Sequence, residues 1–413
     1  MRGPPVKGAL FHIVQPTVFV FGAVVAFAPM WSIRTAGQTA EASTVPPRQI
    51  TGCSASTTTR SPNFRSVAQP DEKRSFCRLP RVSGGSDTLK PAVVVSTAAY
   101  GGSAPESLLA QGRVDEAIRS LQLEVSSIPN DADSYNLLCR AYLELNDWDE
   151  AVKSCQKAVS LGPSDSSFHL WLGRAYGEKA RHAKFLSAAR LAKKVRNQFE
   201  IAVRLDPTNL EARADLAQFY VEAPGVLGGG KDKAEEQARE LATLDPPEAE
   251  IVQAWIAEKN KDLAAAENHL LAAVSLSGGK PGLWLSLAEF YRRTGRGDKM
   301  QDALEHALAA TNHNGVLLDA AQMLIASKRN PSEAAELLRQ YLSGPTVEDA
   351  PAFKAHYLLG TLCEKDGNTM AVAEEFRSAL RLASLCPRTK GSRSTQASDG
   401  KLCGPAMNAR LLV

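Results

Sequence analysis

Large apolar residues recur every three or four positions through the middle of the chain, which is the spacing of one face of an α-helix. In the clearest segment, Tyr135, Leu138 and Tyr142 form such a stripe, and a second stripe with smaller residues follows before Pro163. Alternating runs of Val, Ile and Thr, which strands need, are nearly absent after residue 97. The pattern therefore predicts an all-α structure made of paired helices.

The same pair of stripes returns with a period of 34 residues. Within the clearest unit, the large and small positions are Tyr135, Leu138, Cys139, Tyr142, Ala151, Cys155, Ala158 and Pro163. Other copies include Trp284, Leu287, Ala288, Tyr291, Leu304 and Ala307, and, near the end of the region, Leu359, Gly360, Phe376 and Ala379. Small residues let two antiparallel helices approach closely, and proline ends the second helix because it lacks an amide donor.

These residues and this period resemble the tetratricopeptide repeat family. The resemblance implies a right-handed α-solenoid of about eight tandem antiparallel helix pairs over residues 98–385, with disordered N- and C-terminal tails. It also implies that the first helix of each pair lines a concave groove, and that the groove holds a partner peptide or helix.

Two units depart from the family spacing. Ten extra residues lie between Tyr176 and Phe199, and five lie between Tyr220 and Ala234 in the stretch that contains a glycine-rich turn. Insertions in repeat proteins fall on loops and often mark binding faces, but they are also found as passive elaborations. Both interpretations stay open at this stage.

The N-terminal region, residues 1–42, contains an apolar run from Thr17 to Ala28 preceded by Arg2 and Lys7. Twelve residues is the length of the apolar part of a signal peptide, whereas a spanning helix needs about 20. We expect a signal peptide or a membrane anchor, so the protein is exported or membrane-associated. The third alternative is that this N-terminus is not a genuine signal, in which case the protein is cytoplasmic.

Residues 43–97 and residues 386–413 are rich in polar residues without periodicity, and both are predicted to be disordered. The first is a linker and the second a basic tail. Ile50 to Cys53 resembles a bacterial lipoprotein box, but about twenty polar residues separate it from the apolar run, which favours a chance match.

Charge is distributed unevenly. The net charges of residues 1–97, 98–385 and 386–413 are +7, −8 and +4, which sum to the +3 of the whole chain. A mildly acidic repeat region argues against nucleic-acid binding, because backbone phosphates need a clustered basic face. Within that region, Arg181, Lys184, Arg190, Lys193, Lys194 and Arg196 form a local basic cluster. It is interpreted as a solvated helix face or as a surface for an acidic protein or an anionic membrane.

Motifs for catalysis and for cofactor binding are missing from the sequence. The seven cysteines include no C-x-x-C pair, and neither G-x-S-x-G nor H-E-x-x-H occurs. The glycine-rich stretch from Gly225 to Asp232 nearly matches a phosphate-binding loop, but Asp232 stands where the hydroxyl residue is required. We therefore predict no enzyme activity, no cofactor and no metal site.

The predicted function is a scaffold for protein interactions, with a protein or peptide as partner. On the helical face opposite the packing stripe, the candidate groove residues are Asn136, Arg140, Arg174, Glu178, Gln218, Glu289, Arg292 and Arg293. The alternative is a structural element that self-associates or tethers an assembly to a membrane through the N-terminus.

Two packing expectations can be checked directly. Trp284 heads the best copy of the stripe, so we expect it to be buried between helices, with a cost of roughly 3–5 kcal/mol on truncation to alanine. Cys139 and Cys155 lie on the two helices of one unit, so we expect them to be close together but not bonded.

Overall fold

The computed structural model describes residues 104–310, 314–348 and 350–384. The predictions for residues 1–42, 43–97 and 386–413 lie outside these residues. Sixteen α-helices follow one another in the described part: α1 Pro105–Ala110, α2 Val114–Ser127, α3 Ala132–Glu144, α4 Trp148–Leu161, α5 Ser166–Arg181, α6 Phe185–Leu205, α7 Leu210–Glu222, α8 Lys231–Leu244, α9 Pro246–Lys259, α10 Leu263–Leu276, α11 Pro281–Arg293, α12 Gly297–Ala310, α13 Gly315–Ala326, α14 Pro331–Ser343, α15 Ala352–Lys365 and α16 Thr369–Leu382.

The helices pack in sequential pairs, from α1 with α2 to α15 with α16, and each pair contacts the next. The all-α architecture and the count of eight pairs are thereby confirmed for the described residues. None of the helices there is both long and apolar enough to cross a membrane.

The close approach within a pair comes from a small residue on the first helix facing a larger one on the second. A Cβ atom placed on Gly173 would collide with the ring of Phe199, and one placed on Gly360 would lie 2.7 Å from Cε1 of Phe376. In the regular units these two positions are 16 residues apart, as in Gly360 and Phe376. The 26-residue separation of Gly173 and Phe199 therefore shows the ten-residue insertion directly.

Cys139 and Cys155 occupy these same two positions in the pair α3–α4. Their Cα atoms are 5.2 Å apart, both residues are fully buried, and their sulfur atoms form a disulfide. The expected proximity is confirmed, but the expectation that the cysteines are unbonded is wrong. Small side chains on facing helices bring the backbones within the roughly 4.4–6.8 Å range that a disulfide spans.

Hydrogen bonds of tyrosine hydroxyls connect successive helix pairs. The hydroxyl of Tyr220 donates to Oε1 of Glu200 at 2.9 Å. At the same separation of 20 residues, Nε2 of Gln156 donates to the hydroxyl of Tyr176 at 2.8 Å. Each bond joins a first helix to the second helix of the preceding pair, so it fixes how neighbouring pairs are oriented.

Trp284 is only partly buried, contrary to the sequence-based expectation. Its indole stacks on the imidazole of His306, with ring centroids 4.3 Å apart. The adjacent Leu285 is the side chain that is fully buried in the core at this level. The other stripe residues of this helix, Leu287, Ala288 and Tyr291, are buried as expected, so Trp284 lies at the edge of the stripe.

The last pair of helices packs against the first two pairs. Phe353, Tyr357 and Phe376 share a hydrophobic cluster with Leu109 and Leu138. The backbone of the turn after α1 lies close to the start of α15. A Cβ atom on Gly112, in that turn, would lie 2.6 Å from the backbone nitrogen of Ala352. The eight pairs therefore form a closed circuit of contacts.

Three polar contacts join the two ends of this circuit. Nε of Arg140 donates to Oε1 of Glu348 at 2.8 Å, and Nη2 donates to Oε2 at 2.5 Å. Nζ of Lys354 donates to Oε2 of Glu144 at 2.6 Å. The backbone amide of Ser384 donates to Oδ2 of the buried Asp115 at 2.7 Å. The resemblance to an open repeat array did not predict this closure.

Candidate partner-binding strip

A group of polar and aromatic side chains lies on the first helices α3, α5 and α7. It consists of Asn136 and Arg140 on α3, Trp171 and Arg174 on α5, and Gln218 on α7. The guanidinium carbon of Arg140 lies 5.1 Å from the centroid of the Trp171 ring, and that of Arg174 lies 4.8 Å from it. Trp171 therefore contacts both cations. We call these five residues the polar strip.

Arg174 is almost completely buried and is held by two carboxylates of α7. Its Nε donates to Oδ2 of Asp215 at 2.7 Å, and its Nη2 lies 2.8 Å from Oε2 of Glu211. Burial by itself lowers the pKa of the Arg174 guanidinium, but the attraction of Asp215 and Glu211 outweighs it, so the pKa is raised. Arg174 is thus a permanent cation in the interior, and its charge is compensated there by the two carboxylates.

Three atoms of the polar strip are buried without a hydrogen-bond partner among the described residues: Oδ1 of Asn136, Nη1 of Arg174 and Oε1 of Gln218. The three side chains are 7%, 6% and 2% exposed as residues. A buried polar atom without a partner costs roughly 1–3 kcal/mol, and native proteins hold few of them. These three atoms lie on the first helices α3, α5 and α7, and five further atoms of this kind lie elsewhere in the described residues.

The three unpaired atoms have complementary chemistry. Nη1 of Arg174 is a donor, and each amide side chain offers an acceptor or, if its oxygen and nitrogen are exchanged, a donor. A peptide backbone carries both kinds of group at regular spacing. Ordered water molecules could also bind to these atoms.

The remaining candidate residues are already paired within the chain. Glu178 forms an ion pair with Arg181. Glu289 accepts bonds from Arg292 at 2.7 Å and from Arg293 at 3.4 Å. Arg293 also donates to Glu258 on α9 at 2.7 Å. These residues form local ion pairs, and no described contact joins them to the polar strip.

Arg292 shows the strength of this pairing. The hydrogen bond from its side chain to Glu289 raises the pKa of the guanidinium. Glu289 is 4% exposed, so its charge is compensated in the interior by two arginines rather than by solvent. The pattern placed these residues on one face, but it could not show that they pair with one another.

Arg140 differs from the other strip residues because its carboxylate partner comes from the far end of the chain. Glu348 lies in the segment between α14 and α15, and that segment is held by Asn314, whose Nδ2 donates to the carbonyl oxygens of Tyr341 and Pro345, both at 2.8 Å. One of the contacts that close the array, the pair of Arg140 with Glu348, thus involves a residue of the polar strip.

A separate cavity of about 320 Å³ lies where α7 and α9 end, beside the glycine-rich turn. Its lining includes Val221, Pro224, Lys231, Ile256 and Lys259. Nζ of Lys259 donates to the carbonyl oxygen of Glu222 at 3.2 Å. Helix α7 precedes this turn, so the strand that a phosphate-binding loop needs is replaced by a helix.

Trp171, Glu211 and Asp215 were not among the groove residues predicted from the face opposite the packing stripe. Glu211 and Asp215 are four residues apart, so they share one face of α7, and that spacing was available as a signal. Glu348 carried no such signal because it lies outside the repeated positions. Within the described residues, no group of three or more His, Cys, Asp or Glu is arranged to hold a metal ion.

Parts of the chain are similar to known tetratricopeptide repeat proteins. A family model described as "Tetratricopeptide repeat" matches residues 108–175. No curated protein matches the chain. Among solved structures, the thermophilic tetratricopeptide protein TTC0263 of Thermus thermophilus is 21% identical, with 45% of this chain and 96% of that chain covered and a TM-score of 0.38.

Two further structures cover more of the chain. A tetratricopeptide repeat protein from Parabacteroides merdae ATCC 43184 is 15% identical and covers 64% of this chain and 100% of its own, with a TM-score of 0.37. Yeast Tom70 is also 15% identical and covers 71% of this chain and 63% of its own, with a TM-score of 0.43. With its 34-residue period, its eight helix pairs and the matching family model, the chain is a tetratricopeptide repeat protein.

Proposed function

We propose that this protein is an interaction scaffold and that a partner peptide or helix binds along the polar strip. Tetratricopeptide repeats are in general modules for protein–protein interaction, and the identity of the partner is left open. The observation that carries the proposal is the presence of three unpaired buried polar atoms on α3, α5 and α7. A partner backbone supplies the donors and acceptors that they lack.

Replacing Asn136 with leucine tests this proposal. The side-chain oxygen of Asn136 makes no hydrogen bond within the described residues, so a leucine of similar shape removes a desolvated atom without breaking a bond. The free protein is expected to gain up to about 1 kcal/mol in its free energy of unfolding while losing partner affinity. Stability is measured by denaturant titration of the full chain.

Binding is measured with peptides selected from a random phage-displayed library against the wild-type chain. Peptides that bind the polar strip are expected to bind Asn136→Leu at least about tenfold more weakly, the equivalent of one lost hydrogen bond. Gln301→Leu is the matched control because Gln301 on α12 donates to Glu333 on α14 and has no described contact with the strip. It is expected to lower stability and leave peptide affinity unchanged. Selected peptides that bind Asn136→Leu as tightly as wild type would refute the proposal.

The alternative, a structural element that self-associates, is less well supported by the geometry. Repeat arrays that stack end to end need an exposed first or last repeat. Here the last pair and the segment before it cover the first two pairs, with ion pairs between Arg140 and Glu348 and between Glu144 and Lys354. A concentration-independent mass in light scattering is therefore expected.

We further propose that the protein works in an oxidising compartment, either exported or at a membrane. The disulfide between Cys139 and Cys155 supports this, because such bonds persist mainly outside the reducing cytosol. Thiol counting on protein purified from its source without reductant tests it: these two thiols are expected only after unfolding and reduction. Two thiols released by unfolding alone would contradict it.

A further inference from the structure

The two insertions contact one another. The first lengthens α5 and α6, and the second forms the turn before α8. Nη1 of Arg196 on α6 donates to the carbonyl oxygen of Leu227 in that turn at 3.2 Å. Gly228, at a φ of +93°, leaves no room for a side chain beside the Arg196 guanidinium. Two departures from the repeat, far apart in the sequence, thus build one continuous surface.

Positive charge dominates the first of these insertions. Residues 179–198 contain seven basic residues and no acidic one. Lys184, Arg190 and Lys193 are exposed, and no carboxylate in the described part of the chain pairs with any of them. By contrast, Lys179 is paired with Asp149 at 2.6 Å.

The unpaired charges lie on the side of α6 that faces away from the core. Ala188, Ala192, Val195 and Phe199 form the buried side. Leu186, Arg190 and Lys193 follow at intervals of four and three residues, so they share the opposite face. Helix α6 has 21 residues, the most of any helix in the described part, which gives this face a length of about 30 Å.

Exposed aliphatic side chains accompany the charge on this surface. Leu186 is 71% exposed at the start of α6, and Val226 is 87% exposed in the inserted turn. Together with Met370, they are the most exposed large hydrophobic side chains in the described residues. Burying either of these apolar side chains away from water would be favourable.

We propose that this inserted surface docks on an anionic membrane surface. Lysine and arginine attract anionic headgroups, and isolated aliphatic side chains enter the boundary between headgroups and acyl chains. The phosphates of a nucleic acid would attract the basic residues but would not bury the side chains of Leu186 and Val226.

The test uses the full chain and two kinds of vesicle, phosphatidylcholine alone and phosphatidylcholine with phosphatidylserine. The readout is the gain in bound protein that phosphatidylserine gives, so any contribution from the apolar N-terminus cancels. Arg190→Glu with Lys193→Glu is expected to weaken the phosphatidylserine-dependent binding by at least about tenfold. Leu186→Ser with Val226→Ser is expected to weaken it by a smaller factor.

Arg239→Glu with Lys328→Glu is the matched control, because both residues are exposed and unpaired in the described part and the change in net charge is the same. This control is expected to bind as wild type does. Equal loss in both charge variants would mean that only net charge matters and would overturn the proposal. If phosphatidylserine gives no gain in bound protein, the proposal is also overturned. It is overturned as well if the chain binds duplex DNA but not vesicles, and if Arg190→Glu with Lys193→Glu abolishes that DNA binding. Peptide binding at the polar strip is unaffected in every case.

Discussion

Arg140 and Glu348 are 208 residues apart in the sequence, and their side chains form a two-bond ion pair that joins the second helix pair to the segment before the last one. Side chains so distant meet only if the array returns to its beginning. The polar strip therefore lies within a closed arrangement, and its charges are compensated by residues of the same chain. Under the proposed function, a partner bound there replaces water at three buried atoms and does not fill an open, solvent-filled groove.

Gly112→Ala is expected to destabilise the protein more than Gly367→Ala does. Both glycines adopt a positive φ, +69° and +77°, so both substitutions carry the cost of about 1–2 kcal/mol for a left-handed residue. Only at Gly112 does the new Cβ approach another helix, 2.6 Å from the nitrogen of Ala352, while nothing lies within 4 Å of the Cβ at Gly367. Denaturant titration of both variants measures the difference. Equal losses would mean that the first and last pairs are not in contact.

Leu285→Ala is expected to cost about 2–5 kcal/mol, and Trp284→Ala roughly half as much. Leu285 is fully buried, so truncation opens a cavity, whereas Trp284 loses mainly its stacking on His306. Thermal or denaturant unfolding of the two single variants decides the order. A larger loss for Trp284→Ala would restore the original expectation and place the tryptophan in the core.

Glu267 is expected to make stability depend on acid pH. Burial raises the pKa of its carboxyl, but hydrogen bonds from Lys299, Tyr291 and Arg296 outweigh this and lower it from 4.5 to about 2. Because the folded pKa is depressed, the stabilisation is complete above the unfolded pKa of 4.5 and is lost as the pH falls towards 2. The free energy of unfolding of Glu267→Gln should therefore fall less over this window. An identical pH profile for wild type and variant would contradict the assignment.

The sequence was sufficient for the helix pairs because their signal is local and repeated. Small residues such as Gly360 and large ones such as Phe376 return at a fixed spacing, and each copy supports the others. The insertion between Tyr176 and Phe199 was equally readable, since it interrupts that spacing. The partial burial of Trp284 was not, because the other members of its stripe are buried and the periodicity does not show which member lies at the edge.

The candidate site was only partly predictable, for a different reason. The pattern placed Asn136, Arg140, Arg174 and Gln218 on one face, and the structure joins two of them, Arg140 and Arg174, through Trp171. Pairing depends on contacts between distant segments, such as that of Arg140 with Glu348, and no periodicity encodes these. Bonding of Cys139 to Cys155 likewise follows from a backbone distance and from redox conditions, and a spacing of 16 residues specifies neither.

A double-mutant cycle on Arg140→Gln and Glu348→Gln tests the closed arrangement most directly. The free energy of unfolding is measured for the wild type, the two single variants and the double variant. Closure predicts a coupling energy of about 1 kcal/mol, because a partly buried two-bond ion pair exists only when the ends of the array are in contact. A coupling energy of zero, with the two single losses adding in the double variant, would show that the array is open and that Arg140 has no partner at the far end.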